Sequence, residues 1–237
     1  VGVPKTIDND LPFTERTFGF ETAVSLAAEA IQAARVEASG APMGLGLVKL
    51  MGRHAGFIAA SATLASREVD LVLVPEVPFE LNAVTKWLGT RLRERGEAVV
   101  VVAEGAGQDH LPASDGADAS GNLHLQDIGL FLKNRFESAF QELGADVKYI
   151  DPSYMIRAAP ATPADAIYCG RLAENAVHAA MGGKTGLMMG LWANRLVHIP
   201  LAVVNRSKKH INLDGPLWRS VLEATGQPPV FSRVAAK

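Results

Sequence analysis

Apolar runs and amphipathic segments alternate along the first 150 residues of this chain, and this alternation limits its fold more than any other feature. Runs rich in Val, Leu and Ala are typical of parallel strands that are buried on both faces. Apolar residues at helical spacing separate these runs. The predicted strands lie at 44–50, 69–75 and 98–103, and the predicted helices at 19–38, 54–66 and 81–95. Strands and helices in alternation predict an α/β fold with doubly wound, mostly parallel sheets.

The rest of the chain predicts further helices and one hairpin. Residues 105–122 are rich in Gly, Ala, Ser and Asp without periodicity, which predicts a surface loop. Pro163 fits the first turn of a helix, where no backbone N–H is needed. The predicted segments are helices at 125–143, 162–181 and 215–224, a strand at 146–150, and two strands within 186–200 that turn at 193–195.

Composition excludes several classes of function. The 237 residues carry a formal net charge of −2 and no basic block, so binding to nucleic acid or to a membrane surface is not expected. The single cysteine, Cys169, cannot form an internal disulfide. No apolar run of about 18 residues and no signal-peptide pattern occur in the sequence. A cytoplasmic enzyme is therefore the expectation.

Groups suited to phosphoryl transfer are concentrated in the loop at 4–10. Asp8 is a candidate general base, and Asp10 is a candidate partner for a metal or a neighbouring cation. Lys5 could neutralise a transferring phosphoryl group, and Thr6 could hydrogen-bond it. The run Asp-Asn-Asp is also good turn chemistry, because its side chains can cap the local backbone. From the loop alone both interpretations stay open, with the turn slightly favoured.

Short motifs follow one another along nearly the whole chain. They are PKTIDND at 4–10, TFGFETA at 17–23, MGR at 51–53, VPE at 74–76, EGAGQ at 104–108, KYIDPSYMIR at 148–157 and TGQP at 225–228. Together and in this order they resemble the 6-phosphofructokinase family. The segment YIDPSY is similar to the branch that contains the plant and trypanosomal enzymes and related bacterial ones.

The resemblance implies roles for individual residues. Asp8 would deprotonate the 1-hydroxyl of fructose 6-phosphate, with Thr6 and Lys5 beside the transferring group. Asp10 is assigned either to the outer shell of a magnesium ion or to a structural role. The implied sugar-phosphate site consists of the turn Met51, Gly52 and Arg53, of Glu76 for the sugar hydroxyls, and of Lys148, Tyr154 and Arg157 for the 6-phosphate.

The resemblance also implies a two-lobed architecture. The expected parts are 1–19 as the catalytic loop of the donor lobe, 20–152 as the sugar-phosphate lobe, 153–210 as the remainder of the donor lobe, and 211–237 as a C-terminal helix and tail. The Gly-Gly-Asp-Gly type loop that holds the donor phosphates in this family is not found in the sequence. We therefore expect a fragment without the N-terminal donor-binding segment, inactive by itself, of an enzyme that is a homo-oligomer.

The sequence also departs from the family at Gly44. The short bacterial enzymes carry an arginine at this position, seven residues before the Met-Gly-Arg turn, and that arginine reaches across a subunit boundary. Gly44 removes one cation and argues against a substrate site that is shared between subunits in the same way.

The expected activity is phosphorylation of fructose 6-phosphate to fructose 1,6-bisphosphate, a step of glycolysis, with Mg²⁺ as cofactor. ATP is favoured over pyrophosphate as the donor, and Lys5 does not decide between them because it occurs with both. The alternatives are a pyrophosphate-dependent phosphotransferase and a non-catalytic sugar-phosphate-binding regulatory subunit. Retention of Asp8 and Thr6 favours an enzyme, because a pure binding protein needs neither.

Overall fold

The computed structural model describes residues 1–113, 116 and 124–232. Part of the loop predicted over 105–122 and the end of the C-terminal tail lie outside these residues. The helices are α1 (Phe20–Ser39), α2 (Phe57–Ser66), α3 (Leu81–Arg95), α4 (Ile128–Ala139), α5 (Pro163–Met181), α6 (Leu201–Val204) and α7 (Pro216–Thr225). The strands are β1 (Gly44–Leu50), β2 (Leu71–Leu73), β3 (Glu97–Ala103), β4 (Asp146–Ile150), β5 (Leu187–Trp192) and β6 (Arg195–Pro200).

Two predicted segments are shorter in the structure. The strand predicted over 69–75 is confined to β2, which pairs with β3 only through its three residues, and Pro75 beyond it has no N–H for a ladder. The helix predicted over 125–143 ends at Ala139 and is followed by a 3₁₀ turn, Gln141–Leu143. The left-handed Gly144 closes that turn.

Four parallel strands form the main sheet, in the order β2-β3-β1-β4. Helices α1, α2 and α7 pack on one face, and α3 and α4 pack on the other. Successive side chains of a strand point to opposite faces, so Leu47 lies in one core and Val48 in the other. The doubly wound, mostly parallel sheet predicted from the alternation is confirmed.

A smaller antiparallel hairpin, β5–β6, forms the second layer. Ala193 and Asn194 adopt the left-handed conformation at its turn, with φ of 47° and 58°, as two-residue hairpin loops require. Helix α5 packs on the hairpin through the side chains of Tyr168 and Leu172. At the start of the chain, Gly2 pairs with Met188 in parallel, so the loop at 4–10 leads directly out of the hairpin layer.

Helix α5 is tied to helix α1 by one buried carboxylate. Asp165 accepts hydrogen bonds from the backbone N–H groups of Gly19 and Thr22 and from the Thr22 hydroxyl, at 3.1, 2.8 and 2.7 Å. These bonds satisfy free N–H groups in the first turn of α1. The boundaries proposed for the lobes stay a prediction. None of the helices within the described ranges is long and apolar enough to cross a lipid bilayer.

Glycines in β1 allow α1 to pack unusually close to the sheet. An added Cβ at Gly44 would overlap the carbonyl oxygen of Ala38, and one at Gly46 would lie 2.8 Å from the carbonyl oxygen of Ala34. Both alanines are fully buried. Close packing against an alanine-lined helix therefore explains why no larger side chain, arginine included, fits at Gly44 in this chain.

Replacement of Gly44 by alanine should destabilise the protein by about 1–3 kcal/mol, because the new methyl group forces helix and strand apart. The matched control is Gly40→Ala, where the nearest atom would lie 3.5 Å from the new Cβ. Urea unfolding of the purified variants measures both effects. Equal stabilities for the two variants would contradict the close-packing argument.

Candidate active site

The carboxylate of Asp8 lies at the turn of the first loop and faces a cavity of about 350 Å³. The lining residues are Lys5, Thr6, Ile7, Asp8, Phe18, Gly19, Met51 and Arg157. Thr6 shapes the turn, because its hydroxyl accepts a hydrogen bond from the backbone N–H of Asp8 at 3.2 Å. Three residues predicted as catalytic, Lys5, Thr6 and Asp8, thus meet at one cavity.

Asp8 is electrostatically unusual. Its Oδ1 atom is buried and has no hydrogen-bond partner among the described residues. Burial, together with the negative charges of Asp10 and Glu104, raises the pKa of Asp8 to about 6. Lys208 and Arg53 oppose this shift. A carboxylate with a free, shielded oxygen and a pKa near neutrality is suited to accept a proton.

The side chain of Asn9, and not that of Asp8, makes the hydrogen bonds that cap the backbone of the loop. Its Oδ1 accepts hydrogen bonds from the backbone N–H of Thr17 and from Nζ of Lys209, at 3.1 and 3.0 Å, and its Nδ2 donates to the carbonyl of Glu15. Asn9 has a φ of 55°, a conformation that asparagine tolerates better than most residues. Because the neighbouring amide supplies the capping bonds, the carboxylate of Asp8 is not needed for the turn.

Asp10 pairs with a cation of the protein. Its Oδ2 lies 2.7 Å from Nζ of Lys208, and its Oδ1 lies 3.5 Å from the Thr6 hydroxyl. Within the described residues, no group of three or more His, Cys, Asp or Glu side chains could hold a metal ion. Of the two partners that the sequence suggested for Asp10, the structure shows the neighbouring cation.

A second cavity, of about 370 Å³, adjoins the first and shares Met51 and Arg157 with it. Its lining residues are Lys49, Leu50, Met51, Arg53, Glu104, Asp151, Ser153, Tyr154 and Arg157. Three cations and two carboxylates in one polar cavity suit a small ligand that carries both hydroxyls and a phosphate.

Pairing of β1 with β3 builds this cavity at the carboxyl ends of the two strands, where open α/β sheets bind ligands. Glu104 donates its N–H to the carbonyl of Leu50 at 2.9 Å, and Gly105 donates to Gly52 at 3.2 Å. Gly52 has a φ of 137°, which favours glycine, and an added Cβ at Gly105 would overlap the carbonyl oxygen of Arg53. The backbone of the turn at 51–53 therefore packs directly against the backbone of Glu104 and Gly105.

The 3₁₀ helix Ser153–Arg157 presents Tyr154 and Arg157 to the cavity. The Arg157 guanidinium lies over the Tyr154 ring, 4.5 Å from its centroid. Asp151 starts the turn by accepting a hydrogen bond from the Ser153 N–H at 3.0 Å. The same carboxylate pairs with Lys49 at 2.7 Å, so Lys49 links β1 to the turn.

Two predicted residues lie elsewhere. Both oxygens of Glu76 accept hydrogen bonds from the Gly56 N–H at 3.1 Å, and Oε1 also accepts from the Ile211 N–H at 2.9 Å. Glu76 thus binds backbone groups behind the cavity, and the expectation that it holds sugar hydroxyls does not fit this placement. Lys148 lines neither cavity; its Nζ pairs with Asp146 at 3.0 Å.

Sequence reasoning missed Lys49 and Lys208 and gave Glu104 no role in binding the sugar. Glu104 had a usable signal, because it directly follows the apolar run at 98–103. Glu76 follows the predicted strand at 69–75 in the same way. Lys49 breaks an apolar strand one residue before its end, which is a weaker signal. No local pattern could have placed Lys208 beside Asp10, because 198 positions separate them.

Comparison with known proteins shows which family the chain belongs to. A family model described as phosphofructokinase matches residues 1–180. The chain belongs to the phosphofructokinase family. The resemblance inferred from the motifs is therefore confirmed.

Among phosphofructokinases of known sequence, the ATP-dependent 6-phosphofructokinase of Amycolatopsis methanolica is 49% identical to this chain, covering 100% of it and 54% of the relative. The ATP-dependent 6-phosphofructokinase of Trypanosoma brucei brucei is 48% identical over 94% of this chain and 47% of the relative. The chain thus spans about half the length of these relatives. Its fold matches the crystal structure of the pyrophosphate-dependent phosphofructokinase of Marinobacter aquaeolei, with a TM-score of 0.73, 25% identity, and coverage of 98% of this chain and 60% of the other.

The raised pKa of Asp8 predicts a pH-dependent cost in stability. Folding raises this pKa from 3.8 to about 6, so the folded state holds the proton more tightly than the unfolded state. The stabilisation from this proton is complete below about pH 4 and is lost as the pH rises through 6. The charged, buried carboxylate therefore lowers stability by about 2–3 kcal/mol above pH 6, since one pKa unit corresponds to about 1.4 kcal/mol.

Asp8→Asn should accordingly be more stable than the wild type by about 2–3 kcal/mol at pH 8, and by less than about 1 kcal/mol near pH 4. Denaturant unfolding at both pH values measures the difference. Asp214→Asn, which removes an exposed carboxylate, controls for the change in net charge. A gain that is equal at both pH values would show that folding does not raise the pKa of Asp8.

Proposed function

We propose that this chain forms the sugar-phosphate site and the catalytic loop of a 6-phosphofructokinase, which phosphorylates fructose 6-phosphate at its 1-hydroxyl to give fructose 1,6-bisphosphate. The observation that carries the proposal is the shielded, unpartnered oxygen of Asp8 beside a cavity lined by Arg53, Glu104 and Arg157. A base next to a polar, cation-rich cavity is what transfer to a sugar hydroxyl requires.

In the proposed reaction, Oδ1 of Asp8 accepts the proton of the 1-hydroxyl while the hydroxyl oxygen forms a bond to the terminal phosphorus of the donor. The bond from that phosphorus to the bridging oxygen of the donor breaks, and the remainder of the donor, ADP in the case of ATP, leaves with the bonding electron pair. Lys5 and Thr6 line the same cavity and offer an ammonium and a hydroxyl to the transferring group. Lys208 lies close enough to affect the charge of Asp8, and its pairing with Asp10 holds it there. After the product leaves, Asp8 releases its proton to solvent, which restores the carboxylate.

For the substrate, Glu104 is proposed to accept hydrogen bonds from sugar hydroxyls, and Arg157 with Tyr154 to bind the 6-phosphate. Met51 and Arg157 line both cavities, so a sugar phosphate that reaches across them would bring its 1-hydroxyl toward Asp8. Lys148 lines neither cavity and pairs with Asp146, so it stays in the proposal only as a group for the 6-phosphate in the site of another subunit.

ATP is the proposed donor. Its support is that relatives named ATP-dependent reach 49% identity, whereas the pyrophosphate-dependent protein of similar fold is 25% identical. Magnesium belongs to the proposal as the ion that accompanies the donor phosphates. Asp10 would be the residue that contacts this ion through water, and no step assigned above to Asp8, Lys5 or Thr6 passes through the ion.

We further propose a homo-oligomer in the cytoplasm, in keeping with the family resemblance and the lone cysteine. The alternative is a regulatory subunit that only binds the sugar phosphate. The charged carboxylate of Asp8 argues against it. A binding protein would gain nothing from a carboxylate that lowers its stability at neutral pH. This stability cost is reasonable only where the charge takes part in a reaction.

Asp8→Asn should lower kcat by about 100-fold or more while leaving the KM for fructose 6-phosphate nearly unchanged, because the amide cannot accept the proton but keeps the shape of the side chain. A coupled assay for fructose 1,6-bisphosphate, run with ATP and then with pyrophosphate on the complete protein that includes the expected donor-binding segment, measures both constants. Turnover near the wild-type level would remove Asp8 from the mechanism. A complete wild-type protein inactive with both donors would contradict the proposed function.

Glu104→Gln should mainly affect substrate binding, whereas Glu76→Gln should mainly affect stability. Glu104→Gln should raise the KM for fructose 6-phosphate by about 10- to 100-fold, the equivalent of a lost charge-assisted hydrogen bond of about 1.5–3 kcal/mol. Glu76→Gln should lower the unfolding midpoint with much less effect on KM, because Glu76 binds only backbone groups. Kinetics and thermal unfolding of both variants decide the matter. If Glu76→Gln instead raises KM and Glu104→Gln does not, the role of binding the sugar hydroxyls returns to Glu76.

A further inference from the structure

Four consecutive residues, Lys208–Ile211, lie across the back of the active site and contact both parts of it. We call this segment the strap. It follows α6 and precedes α7, whose Trp218 and Val221 are buried on the α1–α2 face of the main sheet. The strap therefore runs from the hairpin layer to the main sheet.

On one side the strap holds the catalytic loop. The backbone N–H of Lys209 donates to the carbonyl of Asp10 at 2.8 Å. Nζ of Lys209 donates to Oδ1 of Asn9 at 3.0 Å and to the carbonyl of Thr14 at 2.9 Å, with Glu15 at 3.4 Å. This ammonium is surrounded by acceptors of one loop, which is the arrangement expected of a cation that fixes backbone.

On the other side the strap holds the segment that follows the Met-Gly-Arg turn. Nζ of Lys209 lies 5.1 Å from the ring centroid of Phe57, within the range of a cation–π contact. Nδ1 of His210 lies 2.9 Å from the carbonyl oxygen of His54. Ile211 donates its N–H to Glu76, which also accepts from Gly56. Lys208 and Lys209 thus contact the catalytic loop. Lys209 and His210 contact residues 54–57 directly, and Ile211 does so through Glu76.

Burial of Lys209 supports this role. Burial lowers its pKa to about 8, against the opposing effect of the carboxylates of Asp10 and Glu15. A lysine buried at such a cost in solvation is normally held by specific partners, and those partners belong to the catalytic loop and to the start of α2. The catalytic loop is otherwise attached to the hairpin, where Thr14 exchanges hydrogen bonds with Leu191.

We propose that Lys209 is a positioning residue for phosphoryl transfer, which fixes Asp8 on the catalytic loop at the distance from the sugar cavity that the reaction needs. It contacts both the loop that carries Asp8 and Phe57, which lies four residues after Arg53 of the turn. The effect is on geometry, and a misplacement of about 1 Å can cost about 100-fold in rate. This inference rests on the proposed function.

Lys209→Met tests the inference, because methionine keeps an apolar stem of similar length and removes all of the Nζ hydrogen bonds. In the complete protein, which includes the expected donor-binding segment, we expect kcat to fall by about 10- to 100-fold, with the KM for fructose 6-phosphate changing less than about twofold. Lys209→Arg should recover most of the activity. Lys133→Met is the control, because Lys133 pairs only with Glu137 on the exposed side of α4 among the contacts described.

Amide hydrogen exchange provides a readout that is independent of activity. Loss of the strap contacts should accelerate exchange in residues 8–15 and leave the strands of the main sheet unchanged. An unchanged kcat, or a fall in kcat and a rise in KM together with faster exchange throughout the protein, would overturn the inference. If Lys209→Met does not fold, Lys209→Gln is judged by the same two measurements.

The two hypotheses can fail separately. If the complete wild-type protein does not phosphorylate fructose 6-phosphate, the proposed function fails, yet hydrogen exchange in the loop still reports whether Lys209 fixes it. If the wild type is active and Lys209→Met has a normal kcat, only the positioning role fails.

Discussion

The in-register pairing of β1 with β3 is the constraint on which the site depends. Leu50 lies opposite Ala103, so both strands end at the same level of the sheet. The residues that follow lie close together, since Glu104 donates its N–H to Leu50 and Gly105 donates to Gly52. Gly52 has a φ that favours glycine, and an added Cβ at Gly105 would overlap the carbonyl oxygen of Arg53. A side chain at Gly105 would therefore push the turn that carries Arg53 away from the strand end that carries Glu104.

Asp8 shows how the fold trades stability for chemistry. Its carboxylate is partly desolvated near two other negative charges, which is unfavourable for folding at neutral pH. The neighbouring Asn9 and Asp10 carry the structural bonds of the loop, which leaves Asp8 available to a substrate. Removal of the charge should therefore stabilise the protein and inactivate it, a combination that a purely structural carboxylate would not show.

The hydrogen bonds of Glu76 hold backbone groups. Its carboxylate accepts the N–H groups of Gly56 and Ile211, so it joins the segment after β2 to the segment after the Met-Gly-Arg turn and to the strap. Together with Lys209 it contacts segments from four distant parts of the sequence. Neither side chain lines the two cavities, and under the proposals above both would act on the reaction through the groups that they hold.

The sequence by itself determined the strands, helices and chemical identity of this protein. Buried strands give unbroken apolar runs and helices give their own spacing, so β1, α3 and β4 were predicted with their bounds. The loop around Asp8 and the turn at 51–53 are contiguous motifs, and local patterns suffice to find these. Only the tertiary structure decided that Glu104 lines the cavity, that Glu76 does not, and that Lys208 and Lys209 reach the catalytic loop. The reason is physical: Glu76 and Glu104 both end apolar strands and look alike in sequence, but their neighbours differ because the order of strands in the sheet is not their order in the chain.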